Sequence, residues 1–324
     1  MLAVLETALW HRAEAEFADA TRLHGIEWLL IEPMDEAQAL RFHREKGAGS
    51  FVLSAGRYSP EFYEALRPGT LVQRFGVGYD AVPVEICRQR GIVVGYTPGV
   101  LDASVAEHAL ALTLALSRQV CRNAQNVRGG GWQAEPGVEM AGRTLALIGF
   151  GRIARRFAAL ARHGLGMRIS AFARDPRPDG ETRALCHEYH ADLPRHLAGA
   201  DVVSLHLPAT PETADFVGPA FLAAMKPGSF LINTARGSLI QEEALHHALL
   251  TGPLAGAALD VTAREPYEPQ GPDLRTLPNC IITPHCASNT REANRRMALG
   301  CIANLRAHAA GDSANFAAIP PLAR

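Results

Sequence analysis

The feature that most constrains this chain is an apolar run that breaks into glycine and then into a helix. Thr144-Leu-Ala-Leu-Ile-Gly149-Phe-Gly151-Arg-Ile-Ala154 reads as a buried strand, a Gly-x-Gly-x-x-Ala turn and the start of a helix over 152–162. Gly149 permits the tight turn, Gly151 lets a pyrophosphate reach the backbone, and the small Ala154 lets helix and strand pack closely. A helix leaves its first N–H groups unpaired, and these bind phosphate. Many strand–turn–helix junctions use glycine, so the pattern alone is weak. The apolar strand before it and a further strand expected over 168–173 make it a dinucleotide loop.

The same rhythm runs along the whole chain. Strand-like stretches at 50–54, 70–74 and 92–94 alternate with helical ones at 60–66 and 83–90, and the N-terminus reads as a strand entering a helix. Further strands are expected at 144–150, 202–207, 229–233, 256–260 and 280–283. Alternation of this kind implies parallel strands joined by crossover helices. The expected class is therefore α/β, with two doubly wound parallel-sheet domains of Rossmann or flavodoxin-like type, and 324 residues suffice for two cores. One long helix is expected over 102–128, with Val105, Ala109, Leu112 and Leu116 on its apolar side and Gly129-Gly130-Gly131 ending it, as a bridge between domains. The helical tail after 290 is expected to return to the first domain, because chain ends often lie close together.

Charge and cysteine usage exclude other classes. With 32 basic against 33 acidic residues there is no electrostatic case for nucleic acid or an anionic membrane as partner. Cys87, Cys121, Cys186, Cys280, Cys286 and Cys301 form no Cys-x-x-Cys pair and read as reduced, packed thiols of a cytoplasmic protein. The N-terminus lacks a basic export region, and 109–116, the most apolar stretch elsewhere, falls short of the ~20 residues that span a bilayer.

Three segments beyond the glycine loop each end a strand with a chemically useful side chain, and ligands of open α/β sheets bind beyond those ends. They are Ile232-Asn-Thr-Ala-Arg236-Gly, Ala258-Leu-Asp260-Val-Thr-Ala-Arg-Glu265-Pro and Ile282-Thr-Pro-His285. An isolated arginine, glutamate or histidine is usually a surface charge. The three together are what reduction of a 2-oxo acid requires. A guanidinium holds the carboxylate and polarises the carbonyl, an imidazole supplies the proton, and a carboxylate beside it keeps the imidazole charged.

These segments resemble the D-isomer-specific 2-hydroxyacid dehydrogenase family. The resemblance covers nearly the whole chain, through Phe75-Gly-Val-Gly-Tyr-Asp80, Thr97-Pro-Gly, Ser104-Val-Ala-Glu107-His108, the glycine loop, His206-Leu-Pro-Ala-Thr-Pro-Glu-Thr213, Met225-Lys-Pro-Gly, Asn233-Thr-Ala-Arg-Gly and Pro284-His285. It implies a substrate domain of 1–100 plus 291–324, a nucleotide domain of 101–290, an active site in the interdomain cleft, and a homodimer formed largely by the nucleotide domains. It implies Arg236 as the group that binds the substrate's carboxylate and carbonyl, His285 as acid–base, Glu265 as its orienting partner, and the N–H groups of Val77 and Gly78 as further carboxylate donors. Ser104, Arg152, Ile153, Pro208, Thr213, Thr234, Ala235, Asp260 and His285 fall where the family contacts its cofactor, beside Gly149 and Gly151 of the loop.

The cofactor expected is NAD(P), with NADP(H) favoured over NAD(H). Family members that prefer NAD place an aspartate at the end of the strand after the loop, where this chain has Ala173 followed by Arg174. A guanidinium there binds a 2′-phosphate, although the nearby Asp175 keeps NAD(H) open. Glyoxylate or hydroxypyruvate is the first substrate expected and 3-phosphoglycerate the second, with Arg57 and Arg74 near the substrate loops as candidate anion contacts or ordinary surface charges. Formate-type dehydrogenases are disfavoured, since they carry glutamine where Glu265 stands. The alternative of another class is a nucleotide-sensing corepressor on the same fold, which can retain all three polar residues.

No metal is expected. His187-Glu-Tyr-His190 lacks the His-Glu-x-x-His spacing and reads as a solvated face. His108 and His206 are assigned no chemistry, and Trp132 is expected as a buried or interface anchor.

Overall fold

Parallel strands covered by helices on both faces are apolar at consecutive positions rather than alternate ones, and that is how the central strands of this chain read. The computed structural model describes residues 1–54, 56–173 and 179–320. The chain divides into two compact units, Met1–Leu101 with Asn289–Arg324, and Asp102–Ser288.

The first unit holds β1 (Leu2–Glu6), β2 (Glu27–Ile31), β3 (Ser50–Leu53), β4 (Leu71–Arg74) and β5 (Val93–Gly95), parallel and ordered β2-β1-β3-β4-β5. This is a flavodoxin-like order. Val4, Phe51, Phe62, Tyr63 and Val72 are fully buried in its core. Strand β2 was not among the expected strands: it opens on exposed Glu27 and buries only Leu29 and Ile31, so it is not an unbroken buried run. The helix Arg291–Ala310 belongs to this unit, where Asn304 donates to Gln73 Oε1 at 2.8 Å and to the Tyr96 carbonyl at 3.1 Å. Arg74 is not a surface residue: it is 2% exposed, donates toward the Gly78 carbonyl at 3.4 Å, and shares its unit's interior with the fully buried Glu6, which accepts from Tyr58 at 2.7 Å. Arg57 is exposed.

The second unit holds β6 (Thr144–Ile148), β7 (Arg168–Phe172), β8 (Glu188–His190), β9 (Val202–Leu205), β10 (Phe230–Asn233), β11 (Gly256–Leu259) and β12 (Cys280–Ile282). They are parallel, in the order β12-β11-β10-β9-β6-β7-β8. This is the doubly wound nucleotide-binding order with one strand added, and its chain direction switches between β6 and β9. The segment read as a solvated face contains edge strand β8, whose His190 ring stacks 3.9 Å from that of buried His196. The single helix expected over 102–128 is two, Asp102–Ser117 and Val120–Arg128, broken at Gln119 with φ +54. Its cause is the returning arm: Val138 N–H donates to the Ser117 carbonyl at 2.8 Å, so that carbonyl is not left for a helical bond. Trp132 is not buried but 88% exposed, and Cys121 lies exposed rather than packed, although all six cysteines are free. Among the described residues no helix is long and apolar enough to cross a membrane.

Desolvated histidines make stability depend on pH: His43 and His196 are buried, and His206 is half-buried. Desolvation by the surrounding protein lowers the pKa of His206 to about 4, and burial also lowers those of His43 and His196. The unfolded chain titrates near 6.5 and binds these protons first, so stability is present above that pH and is lost as pH falls toward the folded values. Between pH 7.5 and 5 the unfolding free energy is expected to drop by roughly 2 kcal/mol from His206 alone. Urea midpoints across that range test this, and an unchanged midpoint would overturn it.

Candidate active site

The adjacent strands β10, β11 and β12 deliver the three polar residues of the expected chemistry. At the end of β10, fully buried Asn233 closes a turn on both sides: its Nδ2 donates to the Arg236 carbonyl at 2.8 Å and its Oδ1 accepts from Ala235 N–H at 3.0 Å. Half-buried Arg236 follows, with Nη1 on the Ala235 carbonyl at 2.7 Å. Gly237 then lies against the loop after β11. A Cβ there would fall 1.9 Å from the carbonyl carbon of Thr262, so no other residue fits without moving backbone.

The loop after β11 turns on its own polar groups. Thr262 N–H donates to Glu265 Oε1 at 3.2 Å, and Thr262 Oγ1 donates to the Arg264 carbonyl at 2.7 Å. Glu265 Oε2 lies 2.6 Å from His285 Nδ1. A carboxylate only accepts, so Nδ1 is the donor and Nε2 is the atom left to exchange a proton. Both side chains are partly exposed, 37% for His285 and 39% for Glu265, so the pair is reachable from solvent.

His285 has φ +50, a left-handed conformation that a non-glycine residue adopts only when its surroundings impose it. Here the imposing group is Asp260. Its carbonyl accepts from His285 N–H at 2.8 Å, and its buried carboxylate accepts from Thr283 Oγ1 at 2.6 Å, Cys286 N–H at 2.9 Å and Ala287 N–H at 2.8 Å. His108 Nε2 adds a contact at 3.4 Å. Burial alone would raise the Asp260 pKa, but these hydrogen bonds outweigh it and hold the carboxyl below its ordinary range. What the geometry gives Asp260 is the turn that presents His285.

The glycine loop follows β6 at the switch point. Gly149 has φ +91, and a Cβ on it would fall 2.5 Å from the His206 carbonyl after β9. Gly151 caps the helix Arg152–Leu165 without any side-chain hydrogen bond, and a Cβ there would meet nothing within 4 Å. Ala154 is fully buried against the sheet. Arg152 donates to Asp102 at 2.7 Å, tying two helix starts together, with Ile153 half-buried behind it and buried Ser104 on the neighbouring first turn. Pro208 and Thr213 share one loop, in which Thr213 Oγ1 donates to the Pro208 carbonyl at 2.6 Å. Ala235 is half-buried, and Thr234 Oγ1 is buried with no hydrogen-bond partner among the described residues. An uncapped helix start, open space at Gly151 and an orphaned hydroxyl at Thr234 fit a dinucleotide. Arg174 and Asp175 lie outside the described residues.

Residues 110–287 match the family described as D-isomer specific 2-hydroxyacid dehydrogenase, NAD binding domain, which is more than half of the chain. The chain belongs to the D-isomer-specific 2-hydroxyacid dehydrogenase family. This dehydrogenase is 38% identical over 302 residues to glyoxylate reductase of Thermococcus litoralis, covering 90% of this chain and 85% of the relative. It is 32% identical over 302 residues to glyoxylate/hydroxypyruvate reductase B of Pectobacterium carotovorum, covering 92% and 93%. Among solved structures it resembles the NADPH-dependent glyoxylate/hydroxypyruvate reductase of Sinorhizobium meliloti in complex with NADP and malonate, with TM-score 0.80 and 30% identity over 94% of this chain and 92% of that one. It is thus an NAD(P)-dependent enzyme that interconverts a small 2-oxo acid and its 2-hydroxy acid, on the two-sheet α/β fold described above.

Three residues of this network escape sequence reasoning. Thr262 shapes the Glu265 loop, while Thr283 and His108 reach Asp260 from 23 and 152 positions away, a proximity that only the fold creates.

Proposed function

We propose that this dehydrogenase reduces glyoxylate and hydroxypyruvate and that it prefers NADPH. The observation that carries the reading is the 2.6 Å pair of His285, after β12, and Glu265, in the loop after β11, on the two strands that follow the Arg236 turn's β10 in the sheet. In this reading Arg236 holds the substrate carboxylate and polarises the carbonyl, His285 Nε2 delivers the proton to the developing alkoxide, and Glu265 orients the ring. The bound nicotinamide supplies the hydride. Ser104, Gly149, Gly151, Arg152, Ile153, Pro208, Thr213, Thr234, Ala235, Asp260 and His285 are the positions assigned to the cofactor. The relatives' names favour glyoxylate and hydroxypyruvate over 3-phosphoglycerate, and burial of Arg74 leaves only Arg57 of the two arginines offered for a phosphate. No observation favours the corepressor alternative. Initial rates on a panel of 2-oxo acids with NADH and NADPH test the proposal, and 3-phosphohydroxypyruvate as the best substrate would overturn it.

The cofactor preference rests on Ala173-Arg174, where a carboxylate would repel a 2′-phosphate and a guanidinium binds it. Arg174→Ala is expected to raise KM for NADPH at least tenfold, given roughly 1.5–3 kcal/mol for a hydrogen bond to a charged group, and to change KM for NADH little. Equal weakening of both cofactors would return Asp175 as the ribose contact.

A cytoplasmic homodimer is proposed as the working form. Val120, Val127, Trp132 and Val138, all in one helix and the arm after it, are 39–88% exposed, and exposed apolar groups so close in sequence mark an association surface. Sedimentation of the wild type and of Trp132→Glu tests this: a dimer that the substitution splits is expected, and a monomeric wild type would refute it.

A further inference from the structure

We infer that His108, Asp260 and Cys286 form an inhibitory site for zinc or a similarly soft divalent cation, directly behind the turn that presents His285. One ligand atom from each of the three lies within 4.8 Å of the other two. His108 Nε2 stands 3.4 Å from Asp260 Oδ1, and Cys286 Sγ stands 3.5 Å from that same oxygen. Tetrahedral zinc, with bonds of about 2.0–2.2 Å to nitrogen and oxygen and about 2.3 Å to sulfur, separates its ligand atoms by roughly 3.4–3.6 Å. Two of the three edges already have that length.

The donor set selects the metal. An imidazole nitrogen, one carboxylate oxygen and one thiol sulfur suit zinc and disfavour magnesium or calcium, which take oxygen. On binding, the Cys286 thiol passes its proton to solvent and its sulfur pair bonds the metal; one thiolate and one carboxylate then balance a doubly charged cation. Asp260 is 1% exposed, so this is not a chance cluster of surface acids, while His108 at 22% side-chain exposure leaves the group open to an ion from solvent.

Occupancy has a mechanical consequence. Asp260 Oδ1 is the acceptor for Thr283 Oγ1 at 2.6 Å and for Cys286 N–H at 2.9 Å, two of the bonds that hold the turn with His285. The Thr283 hydroxyl also lies 3.3 Å from His108 Nε2 and must rotate away for the ion to enter. A cation on Oδ1 therefore loosens the turn that carries the proton donor, and activity falls without competition for the substrate site.

Titration of the full-length enzyme with zinc chloride, and separately with cobalt chloride, tests this site. Expected are reversible, chelator-relieved inhibition by zinc that is noncompetitive with the 2-oxo acid, and a sulfur-to-cobalt charge-transfer band that is independent of catalysis. Cys286→Ala is expected to keep its uninhibited rate, to lose the band, and to need at least roughly tenfold more zinc for half-inhibition, as is His108→Asn for the zinc response. Absence of the band from the wild type, or equal zinc sensitivity of wild type and both variants, would overturn the inference. Because the cobalt spectrum needs no turnover, it separates failure of this site from failure of the proposed substrate reading.

Discussion

Replacing His285 with asparagine is expected to lower kcat/KM for 2-oxo acid reduction by roughly a hundred- to ten-thousandfold, the usual contribution of a positioned proton donor. Asparagine is the informative choice because His285 sits at φ +50, where asparagine is tolerated and alanine is strained. The variant then loses the imidazole without unlocking the turn, and its melting temperature should stay near that of the wild type. Glu265→Gln should do less harm, since an amide oxygen still accepts from Nδ1 at the 2.6 Å position but no longer opposes the positive charge of the ring. Arg236→Ala removes a charge-assisted contact worth roughly 1.5–3 kcal/mol and should lower kcat/KM by one to two orders of magnitude. Stopped-flow cofactor oxidation with saturating cofactor gives all three values. If the His285 variant keeps more than about a tenth of the wild-type rate, proton delivery comes from elsewhere and the site assignment fails.

How much of this was legible in the sequence depends on whether the controlling interaction is local. The β6–glycine–helix unit was readable because a strand, a turn and a helix start are set by neighbours: Gly149, Gly151 and Ala154 each answer a steric demand within one supersecondary unit. The sheet class followed from the rhythm of apolar runs. Strands β2 and β8 did not: β2 opens on exposed Glu27 and buries only Leu29 and Ile31, and β8 is Glu188-Tyr-His, so neither is an unbroken buried apolar run. The break at Gln119 was equally hidden, because Ser117 is satisfied by Val138, 21 positions on, and helix periodicity carries no record of that arm. In the site, Arg236, Glu265 and His285 could be proposed from residue type and position at strand ends, and the fold sets Glu265 against His285 at 2.6 Å. The buried support could not. His108 and Thr283 look like ordinary polar residues until the fold brings them to Asp260.

Gly237→Ala is expected to be as damaging as removal of a polar residue, although it deletes no functional group. The added methyl would lie 1.9 Å from the Thr262 carbonyl carbon, 2.0 Å from its oxygen and 2.5 Å from Ala263 N. These are backbone atoms, not the free end of a side chain that can swing aside, so one of two loops must move. If the Gly237 loop moves, Arg236 leaves its Asn233-braced turn; if the 262–263 backbone moves, the N–H that holds Glu265 goes with it, and Glu265 is the partner of His285. Either shift displaces Arg236 or Glu265, to which the proposed chemistry gives a role, and a misplacement of about 1 Å is enough to cost on the order of a hundredfold in rate. Overpacking of this kind should also destabilise the fold by roughly 1–3 kcal/mol. Gly271→Ala is the control, since a Cβ there meets nothing within 4 Å and its backbone is not left-handed. Measure kcat/KM and the urea midpoint for both variants. A Gly237→Ala enzyme with wild-type activity would mean that the two loops can separate freely, and that the close approach of Arg236's turn to Glu265's loop plays no part in assembling the site.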